Sequence, residues 1–448
     1  MTARLWNDLD GTFLPESALD FMPVDRLREV QLQRLKTVVA FAYERVPLFR
    51  ERMDARGMKP ADVRGLDEVR RLPFSMKADL RDTYPYGLFA VPMAEVVRLH
   101  ASSGTTGKPI VVGYTAQDME VWKQVIVRSL LAAGYTRGDI VQNMYGYGLF
   151  TGGLGLHAGL EAMEATVVPA SGGNSERQIM IMKDFGVTAV CGTPSYFVHL
   201  IEVAQRLGID FKRDLKVKRG LFGAEPWSEG LREYIESASG IKAYDIYGLS
   251  EIVGPGVGCE CECRDGPHIF EDHFLVEIVD PETLEPLPDG QEGELVFTTL
   301  SKRAMPVIRY RTRDITAIDP RPCSCGRTIR RIRRICRRSD DMFIIHGVNV
   351  FPSQIETALL RIEASLPHYL IVLTRRSGLD QMEVRVEITG EMLRDRVGAM
   401  EQLQKRFVRS IEQITGLHIA VTLVQPGNIP RSEGKAKRVL DQRDIHPE

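Results

Sequence analysis

The stretch HASSGTTGKPIVVG, residues 100–113, sets Ser102, Ser103, Thr105 and Thr106, together with Lys108, between two apolar β-type runs. Hydroxyl donors, backbone N–H groups freed by Gly104 and Gly107, and a lysine cation are what the outer phosphates of a nucleotide require. The familiar P-loop needs four residues between its first glycine and the Gly-Lys pair, then Ser or Thr for magnesium. Here only Thr105 and Thr106 intervene, and Pro109 follows the lysine. The segment therefore reads as a phosphate loop of another kind, with a polar hairpin turn as the bland alternative.

Outward from this loop the chain has an α/β texture. The runs VVRLH, IVQNMYG, ATVVP, VTAVCG, RGLFGA and AYDIYG alternate with helical stretches, which predicts strands and helices in alternation with active residues at strand ends. Upstream, apolar residues at helical spacing across 27–53 predict one amphipathic opening helix. After residue 270, FLVEIVD and GELVFTTL read as antiparallel strands. A further shift near residue 337 introduces RRSDDMFIIHGVNVFPSQIE, followed by HYLIVLTRR, MEVRVEITG and IAVTLV. This is a compact α+β unit, small but large enough to fold as a domain. The expected organisation is a large domain over 1–337 and a small one over 338–448.

A chain of 448 residues is too long for one ordinary core. Its 44% hydrophobic and 26% charged residues suit a globular enzyme, and a formal charge of −2 gives no general pull toward nucleic acid or an acidic membrane. No signal-peptide pattern opens the sequence and no run is apolar enough to span a bilayer, so cytoplasm is the expectation. Gly153, Gly155 and Ala158 fit the G-x-G-x-x-A dinucleotide pattern, but no strand–acid spacing accompanies them.

Seven cysteines are too few and too uneven for a disulfide framework. Cys191 reads as a core residue. Cys261, His268, Cys323 and Cys325 form a set whose thiolates and imidazole suit tetrahedral zinc. The run Cys259-Glu-Cys261-Glu-Cys263 leaves open which of its three thiols takes part, and free thiols on loops remain the alternative. The arginine-rich RPCSCGRTIRRIRRICRRSDD beside it also admits a nucleic-acid module.

Five motifs in order resemble those of the adenylate-forming ligases: SSGTTGKP, YGLSEIVGP (247–255), YRTRD (310–314), the 337–356 segment and IPRSEGKAKRV (429–439). Finer details, among them YGYGLFTGGLG, EDHF, VIRYRTRD and GVNVFPSQIE, resemble the phenylacetate–CoA ligase family. That resemblance implies a large N-terminal α/β domain with a β-barrel-like subregion and a hinged small domain. It also implies a two-step reaction in which a carboxylate and ATP give acyl-AMP, which CoA then discharges.

By the same resemblance, Lys435 is the adenylation lysine, Glu251 binds Mg²⁺, and the phosphate loop holds pyrophosphate. Asp314 accepts the ribose hydroxyls, and Arg311 and Arg338 count among the nucleotide contacts. Glu225, Pro226 and Asp245 lie near adenine, with Tyr247 against the nucleotide. Tyr145, Phe150, Gly223, Ala224, Ile246 and Pro255 line the acyl pocket. Asp340 is the hinge, Gly347 lines the CoA channel, and the zinc cluster is structural. Expected partners are CoA and an aromatic carboxylic acid, with phenylacetate first and benzoate or indoleacetate as alternatives. A carrier protein or amine in place of CoA is the nearer rival. A homodimer is compatible with the resemblance, whereas nucleic acid and membrane are not expected.

Overall fold

Strands Ile140–Asn143, Thr166–Val168, Ala189–Gly192, Arg219–Gly223 and Lys242–Leu249 pair in parallel to form half of a nine-stranded sheet. They appear in a computed structural model that describes residues 15–102, 109–335, 337–346, 348–362, 368–376, 379–388, 397–431 and 435–443. Among the expected site residues, Ser103, Gly104, Thr105, Thr106, Gly107, Lys108 and Gly347 lie outside the described residues. The parallel strands are almost continuously apolar because both faces are covered: Val141, Val190, Leu221 and Ala243 are each fully buried. The sheet then changes character. Gly254–Cys259 and His268–Ile269 add on antiparallel, followed by two further short strands.

The antiparallel strands expected after residue 270 make a second sheet, in which Phe274–Val279, Gly293–Thr299 and Tyr310–Thr316 pair in sequence order and Arg337–Arg338 closes the edge. The small domain has its own core. Tyr369–Arg376 and Leu379–Glu387 form an antiparallel pair flanked by the parallel strands Ala420–Val424 and Val439–Asp441. Helices Pro352–Ile362 and Val397–Thr415 cover this sheet, and Leu359, Phe407 and Ile411 are fully buried beneath them. Among the described residues no helix is long and apolar enough to cross a membrane.

One local expectation is corrected. The single opening helix is two, Val24–Arg45 and Pro47–Ala55. Val46 is extended, at φ −111° and ψ 101°, because the proline ring disfavours the helical conformation of the residue before it. The Gly153–Ala158 pattern is the interior of helix Thr151–Ala162. Its glycines let that helix approach its neighbour: a Cβ at Gly155 would lie 2.3 Å from Trp122, and one at Gly159 2.0 Å from Ile126.

Candidate active site and metal cluster

The carboxyl ends of the parallel strands, where open α/β sheets receive ligands, gather most of the expected site. Strand Arg219–Gly223 runs out into Ala224, held at φ +71°, a left-handed conformation that costs a non-glycine residue roughly 1–3 kcal/mol. That turn delivers Glu225 between two backbone donors. Ser195 N, in the first turn of helix Pro194–Arg206, donates to Oε1 at 2.8 Å, and Ala436 N donates to Oε2 at 2.7 Å. Ala436 belongs to the small domain, so one carboxylate ties the strand end to the segment carrying Lys435. Pro226 is exposed beside it.

Asp314 is the focus of the next group. It lies buried on Tyr310–Thr316, where the Tyr247 hydroxyl donates to Oδ2 at 2.6 Å and Arg338 Nη1 donates to Oδ1 at 2.5 Å. Arg338 reaches onward to Asp340, with Nε 3.0 Å from Oδ1. The ring of Tyr247 stacks on Phe297 at 6.0 Å between centroids. Arg311 does not join this group. A break in register opposite Leu295 and a positive φ at Arg313 turn the strand, and Arg311 is taken up by Glu294, with Nη2 2.6 Å from Oε2.

Glu251 is buried, and Tyr310 donates its hydroxyl to Oε1 at 3.3 Å. A lone carboxylate, hard and oxygen-only, is the donor type that magnesium takes together with phosphate oxygens. Lys302, which no motif singles out, donates from Nζ to the Glu251 carbonyl at 2.9 Å. Burial pushes its ammonium down to about 8, against the pull of Asp118 and Glu251. Asp245 sits one layer deeper. Burial, and then the facing Glu260 carboxylate, raise it to about 7. Glu260 itself accepts from Arg232 at 2.7 and 2.8 Å and from Asp245 N at 2.8 Å.

Lys435 faces the cleft from the small domain and remains open to solvent. The enclosing protein still holds its ammonium below the usual lysine range, with Glu225 opposing and Arg338 reinforcing the shift; Glu251 and Lys77 also act on it. Of the expected acyl-pocket residues, Gly223 pairs with Ile246 across adjacent strands, and both are buried with Tyr145. A Cβ at Gly223 would lie 2.3 Å from the Ile246 carbonyl oxygen. Ala224 and Phe150 open to solvent at the mouth, and Pro255 accepts from Trp122 Nε1 at 3.0 Å.

The donor atoms of Cys261, His268, Cys323 and Cys325 all lie within 4.8 Å of one another. Cys261 Sγ and Cys323 Sγ are 3.7 Å apart, and Cys325 Sγ is 3.5 Å from His268 Nε2. Ligand distances typical of zinc give tetrahedral edges of about 3.8 Å for two thiolates and about 3.6 Å for thiolate and imidazole. The spacing thus fits a metal rather than a disulfide. His268 Nδ1 is 3.0 Å from the Ile329 carbonyl oxygen, an acceptor that orients the ring with Nε2 inward. Of the three thiols in the cysteine run, Cys261 is the one in this cluster: Cys259 is buried against the Ser129 carbonyl, and Cys263 is exposed beside Ser324.

Buried carboxylates at the strand ends, facing a lysine contributed by the smaller domain, fit an adenylate-forming enzyme, and the comparisons agree. Residues 79–301 match the AMP-binding enzyme family, and residues 347–443 match the AMP-binding enzyme C-terminal domain. The chain is 50% identical to the phenylacetate-coenzyme A ligase of Thermus thermophilus, over 95% of this chain and 98% of that one. It is likewise 50% identical to the phenylacetate-coenzyme A ligase of Pseudomonas putida, over 98% and 99%. The chain belongs to the phenylacetate–coenzyme A ligase family and is an AMP-forming acid–CoA ligase, with ATP, CoA and a small carboxylic acid as substrates.

Its structure resembles 2-hydroxyisobutyryl-CoA ligase in the postadenylation state with its acyl-adenylate, at TM-score 0.91 and 29% identity over 99% of this chain and 98% of that one. Against the same ligase in the thioesterification state the TM-score is 0.71, at 31% identity over 95% and 92%. The domain arrangement here is that of the former.

Proposed function

We propose that this enzyme joins phenylacetate to CoA. The observation that carries the substrate is the 50% identity with phenylacetate-coenzyme A ligases of two organisms along nearly the whole chain. The flat, apolar surroundings of Tyr145 and Ile246 at the glycine-narrowed strand ends support a planar apolar acid. A carboxylate oxygen attacks the α-phosphorus of ATP, the bond to the β-phosphate oxygen breaks, and pyrophosphate leaves. The CoA thiol then attacks the acyl carbon, its proton is lost to solvent, and AMP departs.

In this reading Lys435 donates to the carboxylate and α-phosphate as charge builds between them. Its position opposite Glu251 and Arg338 supports that role. Loss of such a preorganised donor typically costs about 2.7–4 kcal/mol of the barrier. Asp314 receives the ribose hydroxyls, Arg338 and Tyr247 hold its carboxylate in place, and Glu225, Pro226 and Asp245 flank the base. Glu251 holds Mg²⁺ with the phosphates, and residues 102–108 cradle pyrophosphate. Tyr145, Phe150, Gly223, Ala224, Ile246 and Pro255 surround the acid. The domains divide at 337/338 with Asp340 as the hinge, Gly347 lies along the path of CoA, and Cys261, His268, Cys323 and Cys325 hold a structural Zn²⁺.

The test is pyrophosphate release with ATP and Mg²⁺ over a panel of aryl and aliphatic acids, with and without CoA, products being followed by mass. Phenylacetyl-CoA and AMP should form together and fall roughly 10²- to 10³-fold in Lys435→Ala. Preference for benzoate or indoleacetate would overturn the substrate. Acyl-AMP that CoA fails to discharge would overturn the second step.

A further inference from the structure

Resting on the proposed adenylation by Lys435, we infer that Glu202 is a positioning residue for that step: it latches the small domain, through Arg431 and His368, in the orientation that brings Lys435 to the cleft.

Glu202 lies on helix Pro194–Arg206 of the large domain. Its carboxylate meets two separate pieces of the small domain. His368 Nε2, at the start of the first strand of that domain's sheet, contacts Oε1, and Arg431 Nε donates to Oε2 at 3.2 Å. Arg431 is itself fixed within the small domain, where Nη1 donates to Glu387 Oε2 at 2.8 Å and to the Ile429 carbonyl at 2.9 Å, and Nη2 donates to Glu387 Oε1. One edge of the guanidinium thus belongs to the small domain and the other crosses to the large one. Arg431 stands four residues before Lys435, so a constraint on one reaches the other through a short span of chain.

Some other contacts across the same interface use a backbone or apolar group on one side. Ser228 N donates to Glu356 at 3.0 Å and Ala436 N to Glu225 at 2.7 Å. Both donors are backbone groups that any side chain at those positions would retain. Leu360 packs on Gly230 through apolar surface alone. On the large domain Glu202 is therefore a place, beside Asp314 with Arg338, where side-chain charge bears on the docked state. Burial works against its charged form, yet His199, His368 and Arg431 hold the carboxyl well below its usual range. The side chains of Glu202 and Arg431 are 31% and 23% exposed. Water can replace each partner when the domain turns, so the latch is releasable, as an alternating domain requires.

The experiment separates the two half-reactions in Glu202→Gln, Arg431→Ala and the double variant, with phenylacetate as the acid. Glutamine keeps the shape of the side chain on a helix surface, and melting temperature verifies folding. Acyl-AMP formation at saturating ATP and acid should fall roughly tenfold, with KM for ATP unchanged. CoA discharge of acyl-AMP prepared beforehand should stay level or quicken. The double variant should lose less than the product of the single losses. Equal loss in both half-reactions, or loss in neither, overturns the latch. Absence of pyrophosphate release by the unaltered enzyme with every acid would instead overturn the adenylation reading, so the two failures are distinct.

Discussion

The metal cluster and the nucleotide cleft are both built from a few polar side chains drawn from distant parts of the sequence, yet they are finished differently. Cys261, His268, Cys323 and Cys325 come from two segments of one domain, 261–268 and 323–325, and each donor has the others as neighbours. The cleft takes Tyr247, Glu251 and Asp314 from the large domain and Lys435 from the small one, with Arg338 and Asp340 at the join. A set completed within one rigid body stabilises that body. A set completed only when two bodies dock can be dismantled and remade, which a two-step reaction needs.

The sharpest way to break this contrast is to remove one cluster ligand. Cys325→Ser should abolish bound zinc by elemental analysis and lower stability on the order of 5 kcal/mol, because binding of a structural metal contributes to folding. Acyl-AMP formation in the fraction that remains folded at low temperature should be unchanged. An unaltered melting temperature with lost adenylation would move the cluster into the chemistry and dissolve the distinction.

A second test concerns the charges packed behind the cluster. Asp20 receives Arg128 Nε at 2.8 Å and Arg327 Nε at 2.9 Å, and Arg327 N lies 3.5 Å from Cys325 Sγ. Arg128 continues to Asp272 at 2.8 Å, and His273 Nε2 stands 3.1 Å from the same carboxylate. Nδ1 of His273 lies 2.8 Å from the Ser301 hydroxyl and 3.3 Å from Arg34 Nη1. Burial, reinforced by Arg128 and Arg34 and opposed by Asp272, pushes this histidine down to about 4, against 6.5 in its ordinary state. The unfolded chain therefore binds a proton between these values that the native protein does not. The stability contribution is complete above pH 6.5 and falls away as pH drops through 4, by about 3 kcal/mol in all. His273→Gln should flatten that slope in denaturation measured from pH 7 to pH 4, while adenylation at pH 7.5 holds. A slope shared by both proteins would remove His273 from the account.

Much of this was legible in the sequence, and where it was not, the reasons are physical. The members of the Cys/His cluster could be chosen by type, because thiol and imidazole side chains at short spacing share an affinity for metal. Their register could not, since Cys259 differs from Cys261 only by where a strand ends. The Tyr247–Asp314 pairing was implied by two motifs held apart by 67 positions, and the fold brings them to 2.6 Å. The pairing of Arg311 with Glu294, at 2.6 Å, joins two strands and is not announced by the charged run in which Arg311 stands. Lys302 and Glu202 lay beyond reach. One is a lysine in an ordinary loop and the other an acid on an amphipathic helix, and each acquires meaning only from what docks against it.

The finest test lies within the cleft. Asp314 is held from two sides, by a phenol of its own domain and by Arg338 at the join, so its carboxylate belongs to both states of the enzyme. Asp314→Asn keeps the shape, loses the charge and turns one acceptor oxygen into a donor facing Arg338 or Tyr247. With ribose bound about equally in ground and transition states, such a loss raises KM more than it lowers kcat. KM for ATP should rise roughly tenfold, about 1.4 kcal/mol, as expected for the weakening of one charged hydrogen bond. CoA discharge of acyl-AMP should weaken by a similar factor in KM for the adenylate, since the same ribose is held in both half-reactions. That symmetry is the opposite of the one-sided loss expected at Glu202. If Asp314→Asn depressed only acyl-AMP formation, Asp314 would be acting through Arg338 on the domain orientation, and the cleft would have two latches rather than one latch and one binding site.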